Sequence, residues 1–223
     1  ANSISQHLES ELSEFEAKFV RLREAPDRFN QAFSESGWIA HRNMSTEAMW
    51  RAIEIKEKEG LEAAESYLEE YYNDELDGML RLFLFPPSLE PRRDLIQLAW
   101  EDHKAGRYHA SVPVVLAQID GITHDLKSKS FFKKRVKQAK HLVLEETIAG
   151  DPTGLVALAA QMSKTRTKTS SSPIALPYRH GILHGRDLGY ASRRNSTKAF
   201  AALVALRSLV LRRYQEKWSE ESV

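Results

Sequence analysis

No cysteine occurs among the 223 residues. That absence excludes disulfides, thiolate nucleophiles and cysteine-ligated zinc. Long apolar runs are missing too. No stretch approaches the roughly 18 residues that span a bilayer, and the greasiest segment, Ala199–Leu211, is broken by Arg207 and bounded by Lys198 and Arg212. The opening residues, Ala1–Ser13, mix polar and acidic side chains and lack the apolar centre of a signal peptide. A soluble, cytoplasmic protein with no membrane partner is therefore expected. Alternating strand patterns and internal repeats are also absent, which leaves helix as the regular structure to look for.

Net charge is nearly absent as well, at +1, but the balance is made of two unlike halves. Residues 1–105 carry 12 Lys/Arg and 22 Asp/Glu (12 − 22 = −10), and residues 106–223 carry 20 and 9 (20 − 9 = +11). A basic half of that size suggests a polyanion partner. The acidic half is read as a solvated face, with the further possibility that it shields the basic half from nucleic acid in a resting state.

Apolar residues recur at three- and four-residue steps along most of the chain. Ile4, Leu8, Leu12, Phe15, Phe19 and Leu22 make one stripe that Pro26 is expected to end. Phe29 and Phe33 mark a short second helix stopped by Ser36-Gly37. Ser45 or Thr46 caps a helix closed by Gly60, and Leu61–Tyr72, Glu75–Phe85 and Arg92–Lys104 follow. Tyr108–Leu126 is a largely apolar helix in which Pro113 sits in the first turn or makes a kink. Phe131–Thr147 is amphipathic and basic, Thr153–Met162 is short and apolar, and Ser163–Ser172 reads as a mobile Ser/Thr/Lys/Arg loop. Asn195 or Ser196 caps a last helix running to about Trp218. The fold class is all-α, with a boundary at Pro86–Pro91: an acidic helical region, 1–90, and a helical domain, 91–223.

The residues that carry chemistry lie in Arg179-His180-Gly181-Ile182-Leu183-His184. Arginine offers a planar fork of donors suited to phosphate, and histidine is the side chain that exchanges protons near neutral pH. Five positions apart on a helix, Arg179 and His184 are separated by about 140° of rotation, so both reach a shared cleft when the turn loosens or a second copy completes it. Gly181 and Gly185 permit close backbone approach. Asp120, in an apolar helix, needs a partner; a salt bridge to Arg179 or a backbone cap would supply it. Asn195 is read as a helix cap, and Lys198 as a phosphate contact. Seven cations and no carboxylate fall between Lys127 and Lys140, among them Lys133, Lys134, Arg135 and Lys137, with Phe131 and Phe132 interleaved. Such a run favours salt-sensitive phosphate contacts.

An arginine, a polar residue, three variable residues and a histidine resemble the signature of HEPN domains, and Tyr108–Gly121 with Arg179–Gly185 resemble a group of helical bacterial proteins. The resemblance covers mainly residues 92–215. It implies a HEPN-like helical bundle that dimerises so that two motifs form a composite site. It also implies RNA cleavage without metal or other cofactor: the ribose 2′-hydroxyl attacks the phosphate, leaving a 2′,3′-cyclic phosphate. His184 would be the general acid or base, Arg179 would hold the scissile phosphate, and His180 would orient its neighbours or touch RNA. Some toxin relatives carry a modified tyrosine two residues after the histidine; Arg186 stands there in this chain and is counted instead among the nucleic-acid contacts. The setting implied is bacterial defence or toxin-like growth control, with a regulatory protein partner.

Three other readings compete. A catalytically silent HEPN-like module would bind RNA or nucleotide, or dimerise, through the same residues. A metal hydrolase would use the pairs His180/His184 and Asp120/His124, each spaced i, i+4, but no glutamate in the motif is placed to act as base. A helical adaptor would use Trp38, Trp50, Trp100 and Tyr71-Tyr72, residues that more often pack a core.

Overall fold

The computed structural model describes residues 2–83, 86–127, 154–207 and 209–211. The fold is an all-α bundle with one two-stranded sheet. Its helices are α1 (Asn2–Phe33), α2 (Thr46–Glu59), α3 (Leu61–Phe83), α4 (Arg93–Lys104), α5 (Tyr108–Lys127), α6 (Leu155–Met162), α7 (Arg179–Leu183) and α8 (Arg193–Ala205). Strands β1 (Ser170–Pro173) and β2 (Asp187–Gly189) flank α7 and pair in parallel. Among the described residues, no helix is long and apolar enough to cross a membrane.

The first helix is longer than its sequence suggests. Pro26 lies inside α1 rather than ending it. The helix continues because its next turns bury Phe29 and Phe33 completely, with the two rings 4.9 Å apart; that apolar burial outweighs one lost backbone bond. Gly37, at φ 95°, then stops the chain as expected. Ser45 caps α2 by accepting the Ala48 N–H, and Gly60 and Gly106 end α2 and the turn after α4 with positive φ. The two segments expected within 61–85 are one helix, α3.

α8 is the centre of the bundle. It packs on α3 and α5, while α2 packs on α3 and α4 on α5. Every residue from Asn195 to Ala205 is buried, the environment of a helix enclosed on all sides. Among the described residues the buried apolar side chains form one cluster, which draws on residues from both sides of the Pro-rich turn, a 3-10 segment at Pro87–Arg92. The acidic region is not simply a solvated face. Glu62, Glu65, Glu69 and Glu70 of α3 pair with Arg193, Arg194 and Lys198 of α8.

Polar groups inside the bundle are tied together where four helices meet. Asn73 of α3 donates to Glu69 O and Thr197 Oγ1, which leaves its Oδ1 to accept from His103 Nε2 of α4. His103 Nδ1 therefore accepts the Ser196 hydroxyl at 2.8 Å, and Ser196 is 2.7 Å from the Ser111 hydroxyl of α5. Burial holds His103 down to about 4, helped by nearby Arg193, so at neutral pH the ring is uncharged, as this network requires.

Candidate functional site

The segment that carries Arg179 and His184 is a loop built on α5 and α8. It leaves α6, forms β1, makes the single turn of α7, returns as β2 and enters α8. Ser163–Ser172 was expected to be mobile; instead its end is a strand, with Ser170 N–H bonded to Arg186 O and close approach of Gly189 to the Ser172 backbone.

Two contacts fasten this unit to α5. Arg179 Nη2 donates to Asp120 Oδ2 at 3.0 Å, the salt bridge expected from the cost of a lone carboxylate in an apolar helix. Three turns away, Tyr190 donates its hydroxyl to His109 O at 2.8 Å. That carbonyl is the one Pro113 leaves unbonded, since proline has no N–H to reach back four residues. Pro113 is thus well inside α5, past the first turn.

α8 fixes the ends of the unit. Asn195 Nδ2 donates to Ile174 O before the motif and to Tyr190 O after it. It is not the helix cap expected: the helix begins earlier, and the Ser192 hydroxyl accepts the Asn195 N–H. Lys198 corrects a sequence expectation. It is 1% exposed, donates to Glu65 Oε1 at 2.6 Å and to Ala175 O at 2.8 Å, and lies over the Trp38 ring. An ammonium so enclosed has no path to a phosphate; it anchors the chain that leads into α7. Burial lowers its pKa, with Glu65 opposing the shift.

The turn itself is a short helix with a Schellman end. Gly185, at φ 64°, bonds its N–H to Ile182 O, and Arg186 N–H bonds to Gly181 O. His184 is therefore the last residue of the turn and is exposed, and its ring lies 4.6 Å from that of His180. The glycine at 181 makes room beneath the turn. A Cβ there would fall 1.9 Å from Asp187 Oδ2 and 2.8 Å from Arg166 Cγ. Asp187 is fully buried and accepts from Arg166 Nε at 3.0 Å, and the Arg166 guanidinium in turn sits over the Tyr178 ring.

Asp187 and Tyr190 help to build this turn and were missed by the sequence reading. One signal pointed to Asp187: it is the single carboxylate between Asp151 and Glu216. Arg186 is exposed and donates to Thr167 O at 2.8 Å, and Lys164 and Lys168 are exposed on the same loop. Lys133, Lys134, Arg135 and Lys137 lie outside the described residues. His124 is exposed one turn beyond Asp120 on α5. Among the described residues no three His, Asp or Glu side chains converge as a metal-ligand set. Two large grooves among the described residues lie elsewhere, one between α3 and α4 and one beside α1. Of the aromatic residues considered for a partner groove, Trp38 and Tyr72 belong to the core, Trp100 is largely buried but edges the groove between α3 and α4, and Trp50 and Tyr71 line the groove beside α1. No family model, no curated protein and no solved structure matches the chain.

Proposed function

We propose that the Arg179–His184 turn is a metal-independent, RNA-cleaving site of the HEPN type. The observation that carries this reading is the pairing of a fixed guanidinium with an exposed imidazole on one short turn. Asp120 orients Arg179 from α5, and His184 stands in solvent at the end of α7 beside His180. Arg186, Lys164 and Lys168 supply positive charge around it, suited to an RNA backbone.

The chemistry needs only these groups and the substrate's own hydroxyl. An imidazole takes the proton of the ribose 2′-OH, O2′ bonds to phosphorus, and the P–O5′ bond breaks as O5′ gains a proton. The products are a 2′,3′-cyclic phosphate and a 5′-hydroxyl. One turn provides one exposed His184; a composite cleft of two copies provides both base and acid. Arg179 balances charge building on the phosphate oxygens. The setting consistent with such an activity is defence or toxin-like growth control in the cytoplasm, under restraint by a partner protein.

A second reading is favoured by the ion pair itself. If Arg179 serves only to hold α7 on α5, the turn binds RNA or a second copy without cutting. The two are separated by incubating purified protein with labelled RNA in EDTA and analysing the ends. Cleavage to cyclic phosphate ends, lost in His184→Ala while RNA binding persists, is the expected result. Cleavage unchanged in that variant, or absent from the wild type despite tight binding, sinks the catalytic reading.

A further inference from the structure

Residues 11–22 of α1 project a face that nothing in the described chain covers. Leu12, Phe15, Phe19 and Leu22 are 63%, 68%, 58% and 54% exposed. Their steps of three, four and three residues place them in one seam, the a and d positions of a two-helix packing. Together with half-exposed Val20 they leave on the order of 500 Å² of apolar surface in water, at the upper end of what a monomer shows as one patch. The core does not recruit this face; α1 enters it only from Ala25 onward. The seam also runs on into a groove of about 850 Å³ lined by Leu22, Trp50, Tyr67 and Tyr71, with Lys18 and Arg21 at its rim.

Charge along the seam selects an occupant. Glu11, Glu14 and Glu16 come first, then Lys18, Arg21 and Arg23. A second copy of α1 running in the opposite direction lays its acidic stretch along the basic stretch of the first, and its acidic end approaches the cationic rim of the groove. In that register Phe15 faces Phe19 of the second copy and Leu12 faces Leu22. Only Glu16 and Lys18, near the twofold axis, meet their own kind, and both are in solvent. A parallel copy fares worse: it sets Glu11 beside Glu16 and Lys18 beside Arg23 on both flanks, like against like throughout.

We propose that this face is the interface of a homodimer in which two α1 helices pack antiparallel through Leu12, Phe15, Phe19 and Leu22. The seam plus the groove approaches the roughly 800 Å² per partner of a standard interface. The interface is isologous, so contact through α1 alone joins two copies and no more. It stands apart from the reading of the Arg179–His184 turn, and its test reads mass and geometry rather than activity.

The full chain should sediment as a dimer at micromolar concentration. Phe15→Glu/Phe19→Glu should halve the mass and leave the thermal melt of the bundle unchanged, because both side chains already face solvent in the monomer. The lack of native cysteine makes orientation readable. Under mild oxidation Leu12→Cys protein alone should not cross-link, whereas a mixture of Leu12→Cys and Leu22→Cys proteins should. A monomeric wild type would assign the seam to a different protein and overturn the proposal. So would a dimer that survives Phe15→Glu/Phe19→Glu, or efficient self-cross-linking of Leu12→Cys, which signals parallel helices.

Discussion

Lys198 and Arg186 are both cations of the basic half, yet the fold gives them opposite uses. Removing Lys198 leaves Glu65 Oε1 buried with only the Trp38 indole N–H to serve it. Breaking one partner of such a buried pair costs about 3–5 kcal/mol, so Lys198→Ala should lower the urea midpoint sharply. Arg186→Ala should leave that midpoint nearly where it is and instead reduce the salt dependence of RNA binding by about one phosphate contact. If Lys198→Ala weakened RNA binding with stability intact, its placement inside the bundle would be wrong. The two glycines of the turn make a similar contrast. Gly181→Ala drives a Cβ into the carboxylate of a fully buried Asp187, an overpacking that costs about 1–3 kcal/mol, together with any activity that depends on the turn. Gly185→Ala meets no atom within 4 Å and bears only the left-handed backbone, about 1 kcal/mol. Denaturation of both variants ranks them, and equal cost would mean that Asp187 does not support the turn.

Between elements, the contact of Tyr190 with His109 O offers a clean measurement. Tyr190→Phe strips the hydroxyl from the carbonyl that Pro113 orphans and should cost about 1 kcal/mol. Pro113→Ala restores an N–H that closes the helix onto His109 O, so in that background Tyr190→Phe should cost little. A double-mutant cycle reads the difference as a coupling energy, and zero coupling would refute the link. This contact also shows which parts of the fold were legible. Boundaries set by local chemistry could be read directly: the Ser45 cap, and the positive-φ glycines at 37 and 60. Pro26 misled, because what keeps that helix going is tertiary, Phe29 and Phe33 in the core; Pro113 was read within its helix, but the Tyr190 hydroxyl that serves the carbonyl it orphans comes from 81 residues away. The strands were illegible for another reason. Ser170–Pro173 and Asp187–Gly189 carry no apolar alternation and exist because α7 and Asn195 bring them together. At the site, the cost of an unpaired carboxylate in an apolar helix left Asp120 two partners, Arg179 or a backbone segment, and the fold supplies Arg179. The burial of Lys198 did not follow from its neighbours, since it depends on α8 being central and on Glu65 in the other half of the chain.

Across the molecule, the polarised charge of the sequence is partly consumed by folding. The acidic face of α3 meets the arginines at the start of α8, so the halves are joined by ion pairs as well as by a shared core. Stability should therefore depend on pH in two windows. The upper one belongs to buried histidines. His41 and His103 are each held at about 4 by burial, with repulsion from Arg193 adding to the effect at His103. Their folded values lie below the unfolded value of 6.5, so the unfolded chain binds more protons at intermediate pH. The stability they confer is complete above about 6.5 and is lost as pH falls toward about 4. Each site should forfeit about 2 kcal/mol by pH 5 and about 3 kcal/mol at the limit. The lower window belongs to carboxylates such as Glu70, whose pKa is lowered by its hydrogen bond to Arg193; that contribution is present above the ordinary glutamate value and disappears only on further acidification. Urea midpoints at pH 7 and pH 5 test the upper window before the lower one opens. The wild type should lose stability over that interval. His103→Gln keeps a polar side chain in the four-helix network without a titrating ring, so it should lose about half as much, whatever its stability at pH 7. A wild-type midpoint that stays level over the interval would mean that the two rings are not enclosed as described, and that the helices they join separate more readily than the packing of α8 implies.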